Sequence, residues 1–143
     1  MEPRGQVVKA MGLIRRPRDG ALLVSEGSNP SGERFHRPLG GHVEFGEYAA
    51  HTVCREFGEE IGQDLQDVRL AGVLENIFEW DGGRQHEIVF VFLADFADPH
   101  AYEIAEQHVR DAQKATRVIW RPQSAAYPPF YPLGVDTLAR SAT

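Results

Sequence analysis

The chain of 143 residues contains a single cysteine, Cys54. It can form no internal disulfide, so a disulfide-stapled scaffold is excluded and any fold must be held by its core. No apolar run approaches the roughly 20 residues that a bilayer-spanning helix needs. The first residues, MEPRGQVVKAMGLIRR, lack an apolar stretch followed by a small-residue cleavage site, so no secretory signal and a cytoplasmic setting are expected. Positive charge is also in short supply: 15 Lys and Arg face 21 Asp and Glu, for a formal net charge of -6. A binder of nucleic-acid polymers presents a basic face, and this composition argues against one. An acidic protein can still take up a small anion if a metal ion stands between them.

What is present suits a globular domain. The length allows one ordinary core, so a single domain over 1–143 is expected. Residues 6–15 and 21–26 read as strands separated by the turn PRDG. Residues 27–33 read as a loop, and 34–45 begin extended because Pro38 disfavours helix at Arg37. Residues 46–63 form the strongest helix, with Val53, Phe57 and Ile61 at spacing four and Gly62 placed to end it. Gly58 inside that helix costs about 1 kcal/mol relative to Ala, through tolerance or because something approaches closely. Residues 68–80 and 85–96 flank Asp81-Gly82-Gly83-Arg84 and predict a long hairpin. A polar loop with a helical turn follows at 97–108, then a strand at 117–120, a Pro- and aromatic-rich connection, and a short helix at 133–140. Strands with two helices make an α+β or α/β sandwich.

The stretch GGHVEFGEYAAHTVCREFGEEIGQ, residues 40–63, sets five carboxylates against the single Arg55. Glu56 and Glu60 are four residues apart, and Glu56 and Glu59 three, so all three project from one side of the helix beside its apolar stripe. Ionised carboxylates at that spacing repel by a few tenths of a kcal/mol per pair. A solvated acidic face is the ordinary use of such residues. A hard divalent cation is the other, since Mg²⁺ takes oxygen ligands and shares itself between one or two carboxylates and substrate phosphates.

The flanking residues add a pattern: Gly41, five residues, Glu47, seven residues, Arg55-Glu56-Phe57, one residue, Glu59-Glu60, one residue, Gly62. It resembles the Nudix box, GX5EX7REUXEEXGU, with seven fixed positions matched and Gln63 in place of the last bulky aliphatic residue. The resemblance implies an α/β/α sandwich in which a mixed sheet carries a loop-helix-loop motif. It implies hydrolysis of a nucleoside diphosphate linked to another moiety, with Mg²⁺ or Mn²⁺ as cofactor. Carried over by position, Glu56 and Glu60 are the core metal ligands, Glu59 is a further ligand or acts through bound water, and the Gly40 carbonyl faces a metal. Glu47 and Arg55 are expected to form a salt bridge fixing loop to helix. The base that activates water is Glu56, Glu59, or a residue of the 97–108 loop such as Glu103 or Glu106. The partner is then a small nucleotide or diphosphate. Many relatives dimerise, which leaves a homodimer open. A domain that keeps this fold as a silent nucleotide-binding or regulatory module is the alternative.

Other residues carry two readings each. Phe78 and Trp80 share a strand face, either as core packing or as a platform for stacking a nucleobase. Arg34 and Arg37 precede the box and either contact phosphates or lie on the surface. Cys54 reads as a small buried hydrophobe, with a catalytic thiol as the other reading. His86, beside Glu87, reads as a hydrogen-bonded histidine at a strand start, with a metal role as the other reading.

Overall fold

The computed structural model describes residues 5–110 and 116–141. Among these residues eight strands pair into two four-stranded sheets. The first sheet has the order β4 (Leu39–His42), β1 (Val7–Ile14), β6 (Gly83–Phe96), β5 (Leu65–Trp80). It is mixed: β1 runs parallel to β6, while β1–β4 and β5–β6 are antiparallel. The second sheet is antiparallel in the order β3 (Arg34–Arg37), β2 (Leu22–Ser28), β8 (Arg117–Arg121), β7 (Glu106–His108). The first is the mixed sheet expected from the resemblance, and a second, antiparallel sheet accompanies it.

Both sheets are apolar on both faces, and each face is closed by a helix. On one side Ala10, Ile14, Phe92 and Phe96 of the first sheet meet Leu23 and Val118 of the second under α1 (Ala49–Ile61). On the other, Met11, Val89, Val91 and Leu93 meet Leu22 and Val24 under α2 (Val135–Ser141). The layering is helix, sheets, helix. Strands buried on both faces carry continuous apolar runs, which is why β6 reads IVFVFLADF rather than alternating.

The helix of the box begins at Ala49, three residues after the expected start. Gly46 is left-handed (φ 83°) and Tyr48 is extended, so residues 46–48 form a turn before the first helical residue. Its end is where Gly62 was expected to place it. Gly62 has φ 69°, and its N–H and that of Gln63 donate to the carbonyls of Gly58 and Phe57. Val53, Phe57 and Ile61 are buried, and a Cβ at Gly12 of β1 would lie 2.7 Å from the Phe57 ring, so the helix is pressed onto the sheet there. No such contact explains Gly58, which faces open space. Cys54, expected to be buried, is exposed, one position off the apolar stripe.

The hairpin is longer than its apolar runs. Its loop is Asp81-Gly82, with Trp80 paired to Gly83 and both loop residues at positive φ (51° and 76°), the type I′ arrangement that suits strand twist. The polar 97–108 segment holds a short 3-10 turn, Pro99–Glu103, and then β7, an exposed edge strand with no apolar pattern to announce it. No helix among the described residues is long and apolar enough to cross a membrane.

Candidate active site

The loop after β4 and the start of α1 fold onto Arg55. Its guanidinium grips Glu47 with two bonds, Nε to Oε2 at 2.8 Å and Nη2 to Oε1 at 3.0 Å. Nη1 donates to Glu56 at 3.0 Å and to Glu59 at 3.3 Å, and Nη2 donates to the His42 carbonyl at 3.2 Å. Glu44 stands 3.7 Å away, largely exposed. One arginine therefore serves four of the five carboxylates. The contacts hold the Arg55 pKa well above its usual range, chiefly through the bond to Glu47, while that bond and a second from Thr52 lower the Glu47 pKa to about 2.

Thr52 escaped the sequence reading. It is fully buried, and its hydroxyl donates to Glu47 at 2.7 Å, so Glu47 is held from two sides. The available signal was a hydroxyl residue beside Val53 on the inward face of the helix.

Glu60 is the carboxylate that Arg55 does not reach. It is half-buried, and it shares a hydrogen bond with Glu56. Burial raises its pKa first, the Glu56 contact second, and together they push it up to about 8 despite the opposing charge of Arg37. Burial beside a second carboxylate disfavours the charged form of Glu60.

The glycines at the start of the box are sterically required. A Cβ on Gly41 would lie 2.5 Å from the Glu56 carboxylate, and one on Gly40 would strike the Ala10 carbonyl of β1 at 2.1 Å. The loop backbone and the carboxylates thus close on one small region. Among the described residues no three His, Cys, Asp or Glu side chains converge as a ready-made metal cage. Glu59 is drawn toward Arg55 while Glu60 leans on Glu56. Two adjacent carboxyl groups nevertheless fit a hard cation that takes two carboxylates and completes its shell with water and phosphate.

A groove of about 700 Å³ opens on the α2 side of the first sheet. Arg37 lines it, and its positive charge opposes the rise of the Glu60 pKa. Arg34 lines it too, paired with Glu26 at 3.0 Å. Phe78 and Trp80 line the wall with Phe35, and Trp80 is 37% exposed, so core packing is not their role. The ring of Trp80 meets Phe35 and Phe78 edge-on, at 6.1 and 6.5 Å. Glu106 lies elsewhere, bonded to Arg117 at 2.8 Å, and Glu103 is exposed in the field of Arg16. His86 Nε2 is buried without a hydrogen bond, 4.0 Å from Glu75.

A family model for the NUDIX domain matches residues 5–133, nearly the whole chain. The chain belongs to the NUDIX domain family. The fold agrees. The structure of a MutT NUDIX hydrolase from Burkholderia pseudomallei superposes with a TM-score of 0.68 at 22% identity, covering 98% of this chain and 100% of that one. The E. coli ORF135 protein gives 0.63 at 20% identity over 94% and 87% of the two chains. The MutT protein from Methanosarcina mazei gives 0.62 at 19% identity over 99% and 95%. No curated protein matches the sequence. The protein is a Nudix hydrolase, and enzymes of this family act on small nucleotide-type molecules with divalent metal ions.

Proposed function

We propose that this Nudix hydrolase cleaves the pyrophosphate linkage of a nucleoside diphosphate derivative, with Mg²⁺ or Mn²⁺ held by Glu56 and Glu60. The observation that carries the reading is Glu60, half-buried against Glu56 and left out of the Arg55 network. A half-buried carboxyl beside a second one costs stability when ionised, and a cation in place of the Glu60 proton offsets the cost. The bound ion would supply charge neutralisation and polarisation of the phosphoryl oxygen. Gly40, whose strand partner is Met11, contributes its carbonyl to the same region.

The remaining roles follow from contacts. Glu47, Thr52 and Arg55 lock the loop to the helix and orient Glu56. Glu59, solvent-facing and one turn from Glu56 on the same helix, is the carboxylate we assign to accept a proton from the attacking water. Arg37 sits where the pyrophosphate would leave the groove for the carboxylates, and Phe78 and Trp80 offer faces for the rest of the nucleotide. A cytosolic location is in keeping with the lone free cysteine.

A hydrolysis screen with Mg²⁺ and Mn²⁺ over nucleoside triphosphates, dinucleoside polyphosphates, nucleotide sugars, ADP-ribose and NADH tests this. Metal-dependent release of a nucleotide from at least one class is expected. Inactivity across all of them would favour the silent binding module.

A further inference from the structure

The groove holds a charged cluster that the Arg55 network never touches. Glu87 is 8% exposed and lies on β6 in line with Val89, Val91 and Leu93, where an apolar side chain would be the ordinary occupant. Its Oε2 is 2.7 Å from Lys9 Nζ, and its Oε1 accepts from Asn76 Nδ2 at 3.3 Å. All three residues line the groove. Replacing a buried ion pair by packed apolar groups is often neutral or stabilising, so stability alone gives this cluster no reason to exist. Each Glu87 oxygen has one partner and retains a further acceptor site, and Lys9 retains two donors.

We infer that Glu87, oriented by Lys9 and Asn76, determines the specificity of the groove by selecting a nucleobase with two adjacent N–H donors beside a carbonyl, the guanine-type edge. This rests on the reading of the groove as the nucleotide site. The carboxylate matches the ring N–H and exocyclic amine together, and Lys9 matches the carbonyl. Adenine and cytosine set one amine beside a bare ring nitrogen, and uracil sets one ring N–H between two carbonyls. Each offers the carboxylate one N–H where the guanine-type edge offers two, so each makes one hydrogen bond fewer to a charged group. Hypoxanthine lacks only the exocyclic amine. Position agrees with a base rather than a sugar. Glu87 pairs with Val7, four residues along β1 from Met11, the partner of Gly40, which is ~13 Å along the strand. The base edge is the part of a nucleotide farthest from its phosphates, whereas ribose hydroxyls lie close to them.

Calorimetric titration of the intact protein with GMP, IMP, AMP, CMP and UMP tests the inference without turnover. GMP should bind at least ~10-fold more tightly than IMP, about 1.4 kcal/mol. Glu87→Gln should bring GMP to the level of IMP, and the wild-type comparison stands even if that variant folds poorly. Equal affinity for all five monophosphates, or binding of none, would overturn the inference. Neither result bears on the hydrolase reading, which the substrate screen decides separately.

Discussion

Glu60→Gln should uncouple stability from pH. In the metal-free protein the Glu60 carboxyl titrates at about 8 against an ordinary 4.5. Between those values the folded state holds a proton that the unfolded chain has lost. Stability should therefore fall as pH rises from 4.5 to 8, by up to ~1.4 kcal/mol per pH unit, and flatten above 8. At pH 7 the accumulated cost is about 3 kcal/mol. Glutamine keeps the shape and the hydrogen bond to Glu56 and removes the titration. The variant should match the wild type near pH 4.5 and exceed it at pH 8, with a melting temperature higher by roughly 5–10 °C for a domain of this size. Glu47 titrates near 2, and its contribution is lost only as pH falls below 4.5, so it leaves this window clean. The assay is thermal melting of both proteins across pH 4.5–9 with chelator, then with Mg²⁺. Metal should stabilise the wild type most at the alkaline end, where the proton it displaces is held least, and should do little for Glu60→Gln. A wild-type minus variant difference that is flat across pH 5–8 would refute the reasoning.

Three further substitutions probe the frame. Gly58→Ala should stabilise the fold by about 1 kcal/mol in urea denaturation and leave turnover unchanged, because the helix gains a better former in open space. Gly41→Ala should cost turnover more than stability: the Glu56 carboxylate must move away from the new methyl, and kcat/KM should fall at least ~10-fold while the urea midpoint shifts little. Thr52→Val removes a 2.7 Å bond to a carboxylate inside the fold and should destabilise by about 2 kcal/mol, read as a lowered urea midpoint with unchanged slope.

The legible part of the protein was the part whose residues act within a few positions of one another. Helix face, helix end and the spacing of the box glutamates follow from a period of 3.6 and from the left-handed preference of Gly62. The hairpin was legible because Asp81-Gly82 has few other uses. What was hidden depends on contacts distant in sequence. The split into two sheets turns on which strands neighbour β2. The exposed edge strand β7 has no apolar rhythm. Thr52 looks like any helical threonine until Glu47 folds back onto it. Phe78 and Trp80 alternate as core residues do, and only the gap between the two sheets makes them a wall. Glu87 was visible as a charge beside His86, but its meaning needed Lys9 and Asn76 brought in from two other strands. The division of labour among five carboxylates was likewise out of reach, because it is set by how far one guanidinium extends.

The central claim is that Glu56 and Glu60 hold a divalent cation needed for pyrophosphate cleavage. Turnover of the best substrate from the screen should be measured for wild type and Glu56→Gln with Mg²⁺, and for wild type with chelator. A loss of at least ~10²-fold is expected in the variant and in the chelated enzyme, with both still folded by circular dichroism. Near-wild-type turnover in Glu56→Gln, or turnover that survives the chelator, would contradict it.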